Sequence, residues 1–190
     1  MQIAGSSAVV VGGTGGLGEA TVRRLVAAGA RVVVADVADD KGKALEQELD
    51  VRYVRTDATA EDDVRAAMEE ARALGPLRIS VDTHGGPASG GRLLGKNGEP
   101  LDLAGFRTTI EYYLTGVFNV MRLAAAAMAR QEPLDADGSR GHCAARDFPG
   151  TTAVRSRSMA TGASSSTPRR SPPTKARPAS FPTPPPRAGW

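Results

Sequence analysis

The residues best placed for chemistry come early. Val11-Gly-Gly-Thr-Gly-Gly-Leu-Gly18 puts five glycines into positions 12–18, and Asp36 stands 18 residues after Gly18. A turn without side chains lets an anion approach the backbone. A helix starting in such a turn adds N–H groups and a positive dipole end. In that arrangement Gly12 makes the tight turn, Gly16 allows the approach and Gly18 lets the helix pack on the strand. A carboxylate at Asp36 accepts hydrogen bonds from ribose hydroxyls and repels a 2′-phosphate. Val37-Ala-Asp-Asp40 follows it, without an arginine. The chemistry implied is dinucleotide binding, with NAD favoured over NADP. Two plainer readings compete: a glycine-rich turn with no ligand, and a helix-start role for Asp36 that Asp39 and Asp40 already fill. The context favours binding, with a strand before the glycines, a helix after them and the acid at the end of the second strand.

The elements that must position these residues can be read from periodicity. Ala8 to Val11 is a β-branched run suited to a strand buried on both faces. Leu17, Thr21, Leu25 and Ala28 recur at helical spacing, and Gly29 suits the residue after a helix end. Arg31–Ala35 predicts a second strand, 39–49 a charged helix and Val51–Val54 a third strand. Thr59 and Asp62 resemble a capping box for a helix whose inner face is Val64, Ala67, Met68 and Ala71. Gly75-Pro76 ends that helix, and Leu77–Val81 predicts a fourth strand. A glycine-rich loop then runs to about Leu101. A long helix over 102–130 carries Phe106, Ile110, Leu114, Val117, Met121 and Met128 on one stripe. Alternating strands and helices predict an α/β fold with a parallel sheet and right-handed crossovers, the N-terminal part of a doubly wound Rossmann sheet.

Composition divides the chain near residue 138. Residues 138–190 hold nine Lys and Arg against one acid, whereas 1–137 hold 15 against 20. The same stretch has nine of the 13 prolines, and Val154 is its sole Val, Ile or Leu. So few aliphatic groups cannot offset an ordering cost of roughly 1–2 kcal/mol per residue. The expectation is a Rossmann domain over 1–137 and a disordered tail over 138–190. Such a tail, rich in Arg, Pro, Ala and Ser, is what a GC-rich gene yields when read out of frame. One cysteine, Cys143, allows no internal disulfide, which points to a reducing, cytoplasmic setting. The N-terminus lacks the basic and apolar segments of a signal peptide, and no apolar run reaches membrane-spanning length. The basic tail could attract phosphates, but three aromatics and no fold motif make nucleic acid an unfavoured partner. Gly90 to Asn97 nearly matches a P-loop, but Asn97 replaces the magnesium-binding hydroxyl and Gly98-Glu-Pro100 cannot start the helix.

Residues 5–141 resemble the short-chain dehydrogenase/reductase family, and within it the 3-hydroxyacyl-CoA dehydrogenase type 2 branch. The glycine turn matches the family's T-G-x-x-x-G-x-G with Val11 replacing Thr, Thr56-Asp57-Ala58 matches its adenine-holding segment, and 93–129 matches the branch's loop and long helix. The resemblance implies an NAD-dependent oxidoreductase that transfers hydride to or from a secondary alcohol, such as a 3-hydroxyacyl thioester. It further implies Gly15 and Leu17 at the pyrophosphate, Asp36 with Val37 at the ribose, Asp57 and Ala58 at the adenine, and Thr83 to Gly85 at the nicotinamide ribose. The long helix resembles the family's subunit contact, so a homo-oligomer is expected.

The departures bear on activity. The family's Asn-x-Ala-Gly reads Asp82-Thr-His84-Gly85, and Tyr113 stands where the family has an Asn that holds a helix kink and a relay water. Its chemistry needs a Ser, and a Tyr with a Lys four residues on. Four residues beyond Tyr53, Tyr112 and Tyr113 stand Asp57, Gly116 and Val117. The expectation is a family member without catalytic residues and without the fifth and sixth strands. The alternatives are a non-catalytic NAD-binding or dimerising partner, and a basic-tail interaction protein.

Overall fold

The computed structural model describes residues 3–86, 92–136, 138–146 and 148–155. The expected run of elements is present: β1 (Ser7–Val11), α1 (Gly16–Ala27), β2 (Arg31–Asp36), α2 (Asp39–Glu48), β3 (Val51–Arg55), α3 (Glu61–Leu74) and β4 (Leu77–Asp82). A long helix follows in three parts: α4 (Leu103–Ile110), a π-helical turn (Glu111–Gly116) and α5 (Val117–Ala129). Then come β5 (Ser139–Ala145) and β6 (Phe148–Arg155). The sheet order is β3-β2-β1-β4-β5-β6, parallel from β3 to β5, with β6 antiparallel at the edge.

Strand alternation divides the core in two. Ala8 and Val10 of β1 face α1 and α2, where Val22 and Leu45 cover them. Val9 and Val11 face the other way, onto Val64 and Met68 of α3 and Val120 and Met128 of α5. A central strand buried on both faces needs apolar residues at every position, as Ser7–Val11 nearly provides.

Four expectations need correction. The tail expected to be structureless from residue 138 contributes two strands. Large aliphatics are not required in β5, because α5 supplies them. The inward residues Ser139, Gly141, Cys143 and Ala145 are small, and a Cβ on Gly141 would lie 2.5 Å from the Met128 sulfur. Arg78 anchors the segment leading into β5, donating at 2.8 Å to the carbonyls of Glu132 and Arg140. The rest of the expected tail, 156–190, lies outside the described residues, as do 87–91 of the glycine-rich loop.

The inner face of α1 is Gly18 and Val22 rather than the stripe through Leu17 and Ala28; Leu17 is 63% exposed. Thr59 does not cap α3. Its N–H and hydroxyl both bond Asp57 Oδ1, and Asp63 accepts from the Asp57 N–H. Finally, the long-helix stripe splits. Val117 and Met128 are buried, but Phe106, Ile110 and Leu114 are exposed, because α4 buries no residue on any face whereas α5 packs on the sheet.

Residues 94–100 close by a bridge between Leu94 and Pro100, so the P-loop look-alike leads to no helix. Among the described residues no helix is long and apolar enough to cross a membrane.

Candidate functional site

Between β1 and β4 the strand order reverses direction, which leaves a crevice at the carboxyl ends of the strands. A cavity of about 340 Å³ occupies it. This size suits a small-molecule site.

The first wall is the turn between β1 and α1. Gly12 has φ +73°, and a Cβ on it would lie 2.5 Å from the His84 backbone. Gly18 is more constrained still, since its Cβ would lie 2.0 Å from the Gly12 carbonyl oxygen. The turn can therefore fold back onto its own helix only with glycine at both places. Thr14 and Gly15 continue the wall. Gly16, Leu17 and Gly18 do not line it, and a Cβ on Gly16 would meet nothing within 4 Å.

The second wall is the end of β2. Asp36 and Val37 line the cavity, with Lys41 one turn into α2. Asp36 Oδ2 accepts from the Thr14 N–H at 3.0 Å and its hydroxyl at 2.7 Å, while Oδ1 accepts from the Ala38 N–H at 3.1 Å. Tyr53 of β3 donates to both the Asp36 carbonyl and Asp39. Burial, first, and the Asp39 carboxylate hold the Tyr53 phenol well above its usual range, so it stays a donor.

Thr56, Asp57 and Ala58, just after β3, make the third wall. Asn119, buried on α5, fixes it by donating to the Ala58 carbonyl at 2.9 Å. The fourth wall is the loop after β4. Thr83 donates its hydroxyl to the Val11 carbonyl at 3.0 Å, joining this loop to the first turn. Gly85 lines the cavity, as do His84, Gly86 and Tyr112.

His84 sits at the junction of three segments. Its Nδ1 lies 2.5 Å from Asp82 Oδ1 and its Nε2 lies 2.9 Å from the Tyr112 carbonyl. Tyr113 reaches the same loop, donating to the Gly86 carbonyl at 2.9 Å. Arg146, just beyond β5, places its guanidinium 5.9 Å from the centre of the Tyr113 ring.

Eight of the eleven expected site residues therefore meet around one cavity: Gly12, Gly15, Asp36, Val37, Asp57, Ala58, Thr83 and Gly85. Thr14, Lys41 and Asn119 were not anticipated. Thr14 carried a signal, as the lone hydroxyl in the glycine run; Lys41 and Asn119 carried none.

Residues 6–135 match the family model described as short chain dehydrogenase. The chain is 36% identical over 143 residues to 3-hydroxyacyl-CoA dehydrogenase type-2 of Drosophila melanogaster, covering 74% of this chain and 56% of that protein. The Homo sapiens protein of the same name is 34% identical over 143 residues, covering 74% and 54%. The crystal structure of 3-hydroxyacyl-CoA dehydrogenase type-2 from Mycobacterium avium superposes with TM-score 0.71 at 50% identity, covering 74% of this chain and 56% of that one. The chain thus spans about half the length of the relatives it matches.

Proposed function

This chain belongs to the short-chain dehydrogenase family, and from that premise we propose that it binds NAD and performs no hydride transfer by itself. The observation that carries the reading is the cavity at the carboxyl ends of β1 to β4, with Asp36 on its wall and glycine required at Gly12 and Gly18. NAD supplies a hydride-accepting ring; the protein's part is to bind and orient it. Gly12 and Gly15 form the surface for the pyrophosphate. Gly16, Leu17 and Gly18 add first-turn N–H groups, which lack partners within any helix. Asp36 and Val37 take the ribose, Asp57 and Ala58 the adenine, and Thr83 and Gly85 the nicotinamide ribose.

The donors around Asp36 fit this use. Thr14 and Ala38 fix the carboxylate in place; Oδ2 already accepts two bonds from Thr14, and Oδ1, with one from Ala38, retains acceptor capacity for a ribose hydroxyl. The relatives' names support a 3-hydroxyacyl thioester as the substrate class of the complete enzymes. This chain has no Tyr followed four residues on by Lys, and hence no acid/base pair of that kind. The buried Cys143, the sole cysteine, supports a reducing cytoplasmic setting.

A second role, self-association, rests on one face of the long helix. Leu103, Phe106, Ile110, Leu114 and Phe118 follow one another at three- and four-residue steps and are all exposed. A second copy of the chain is the occupant proposed, and light scattering on purified protein tests it, with a monomer at all concentrations as the refuting result.

Calorimetry with NADH tests the main reading. The expected result is saturable binding that weakens on Asp36→Ala. A folded protein that binds no NADH rejects it.

A further inference from the structure

On the fourth wall of the cavity, the His84 side chain joins two segments. Both ring nitrogens of His84 face oxygens. Nδ1 meets the Asp82 carboxylate at 2.5 Å and Nε2 meets the Tyr112 carbonyl at 2.9 Å. A carbonyl only accepts, so Nε2 carries a proton. The proton shared with Asp82 belongs to the more basic partner, the imidazole. Both nitrogens are then N–H donors, and the ring is an imidazolium with no lone pair to act as a base.

The surroundings support a buried charge pair. The His84 backbone N–H also donates to Asp82 Oδ1, at 3.1 Å, and Asp82 Oδ2 has no donor among the described residues. The Asp82 carboxylate, 2% exposed, forms a buried pair with His84. Glycine makes room for the ring at one neighbour and for the His84 backbone at another. A Cβ on Gly116 would lie 2.9 Å from Nε2, and one on Gly12 would lie 2.5 Å from the His84 backbone.

We propose that His84, as an imidazolium, is a positioning residue that pins the π turn and the end of β4 against the phosphate turn, and so sets the far wall of the cavity. Tyr112 lies in the π turn, and its carbonyl accepts from His84 Nε2 at 2.9 Å. Tyr112 and Gly86 then close the cavity on that side; a Cβ on Gly86 would lie 2.8 Å from the Tyr112 ring. The charged groups facing the ring are Asp82 from β4 and Arg146 beyond β5, with the Tyr112 and Tyr113 phenols on the π turn. Burial lowers the imidazole pKa, but the Asp82 hydrogen bond and charge outweigh it, and the net shift is upward despite Arg146. The pin is in place below this raised pKa and is lost as pH rises through it.

The inference rests on the nucleotide reading only for its functional consequence, and two measurements keep them apart. In uniformly 15N-labelled full chain, His142 supplies the only other imidazole. The expected spectrum has both His84 nitrogens protonated on the acid side of a titration whose midpoint lies above that of His84 in the unfolded chain, and amide signals of Gly85, Gly86 and Tyr113 that move with that midpoint. A midpoint at or below that of the unfolded chain, or amides indifferent to the titration, overturns the proposal. NADH affinity is then followed across the same range, with a fall of several-fold expected at the midpoint and a flat profile in His84→Gln. A flat wild-type profile with binding intact overturns the functional part. If the amides report the transition and NADH binds at no pH, the nucleotide reading fails and the pin stands.

Discussion

Thr14 gives Asp36 two hydrogen bonds through one carboxylate oxygen, from its N–H at 3.0 Å and its hydroxyl at 2.7 Å. The acid at the end of β2 is thus tied to the glycine turn at the end of β1, which joins two walls of the cavity. A 2′-phosphate would meet this carboxylate at a cost of about 1–3 kcal/mol, the size of a neighbouring-charge effect on a pKa. Lys41 lies on the same wall and offsets part of that. The expected preference for NADH over NADPH is therefore about tenfold, or about 1.4 kcal/mol. Calorimetry with both nucleotides measures it, and equal or tighter NADPH binding refutes the role given to Asp36.

Glycine positions separate into required and permissive. Gly18→Ala drives a methyl to 2.0 Å from the Gly12 carbonyl, a backbone atom that cannot move aside. Overpacking of this kind costs about 1–3 kcal/mol. Gly16→Ala meets nothing within 4 Å at the first residue of α1, where exchanging Gly for Ala gains up to about 1 kcal/mol. Urea denaturation should show opposite shifts of midpoint for the two variants. Equal shifts would mean that the turn does not fold back on its helix.

How far the sequence could be read depends on which contacts set each element. The face of α3 was legible because Val64, Ala67, Met68 and Ala71 repeat at helical spacing and all are buried. The stripe on α1 was misplaced because the Gly18 contact with Gly12, which selects the inner face, leaves no hydrophobic residue to count. β5 was hidden because its inward residues are small and its ladder partner, β4, lies some sixty positions earlier. The junction at His84 was unreadable for a related reason. It depends on a π turn that exposes the Tyr112 carbonyl, and such a turn has no marker in hydrophobic period. The glycines of the cavity were visible because close backbone approach at Gly12 and Gly18 demands that residue type, and Asp36 because an acid ends the second strand.

Cys143 reports whether β5 is truly packed. Burial pushes its thiol up to about 11. Below pH 9.0, its ordinary value here, the thiol is protonated in folded and unfolded chain alike and stability is unaffected. As pH rises from there toward 11, only the unfolded chain ionises, so stability falls. The reactive species is the thiolate, so iodoacetamide at pH 8 should modify the native protein on the order of 100-fold more slowly than the guanidinium-unfolded chain. Equal rates would place residues 139–145 outside the sheet.

The composition change near residue 138 makes a prediction about the gene. A shift of one or two nucleotides near codon 141 should restore a Ser, a Tyr-x-x-x-Lys and further strand-forming sequence. Nine of 13 prolines and nine basic residues against one acid in 138–190 motivate it. Sequencing the locus decides the matter, and a gene with no such alternative frame downstream removes the explanation.

The last prediction concerns activity, and it follows from what surrounds the reacting end of the cavity. A hydride transfer to or from a secondary alcohol needs a group that takes or gives the hydroxyl proton. Loss of a general acid/base alone forfeits a factor of roughly 10²–10⁴. Of the titratable groups near the fourth wall, His84 has both nitrogens committed to Asp82 and Tyr112, so it has no free lone pair, and Tyr112 has Gly116 rather than a lysine four residues on. Tyr113 is held by its own bond to the Gly86 carbonyl, and Val117 rather than a lysine stands four residues on. Purified chain given NAD and 3-hydroxybutyryl-CoA, or a simple secondary alcohol, should produce no NADH above a control without enzyme. Turnover that disappears in Asp36→Ala would show that a residue outside this wall supplies the proton transfer, and the reading of the chain as a binding module would fall.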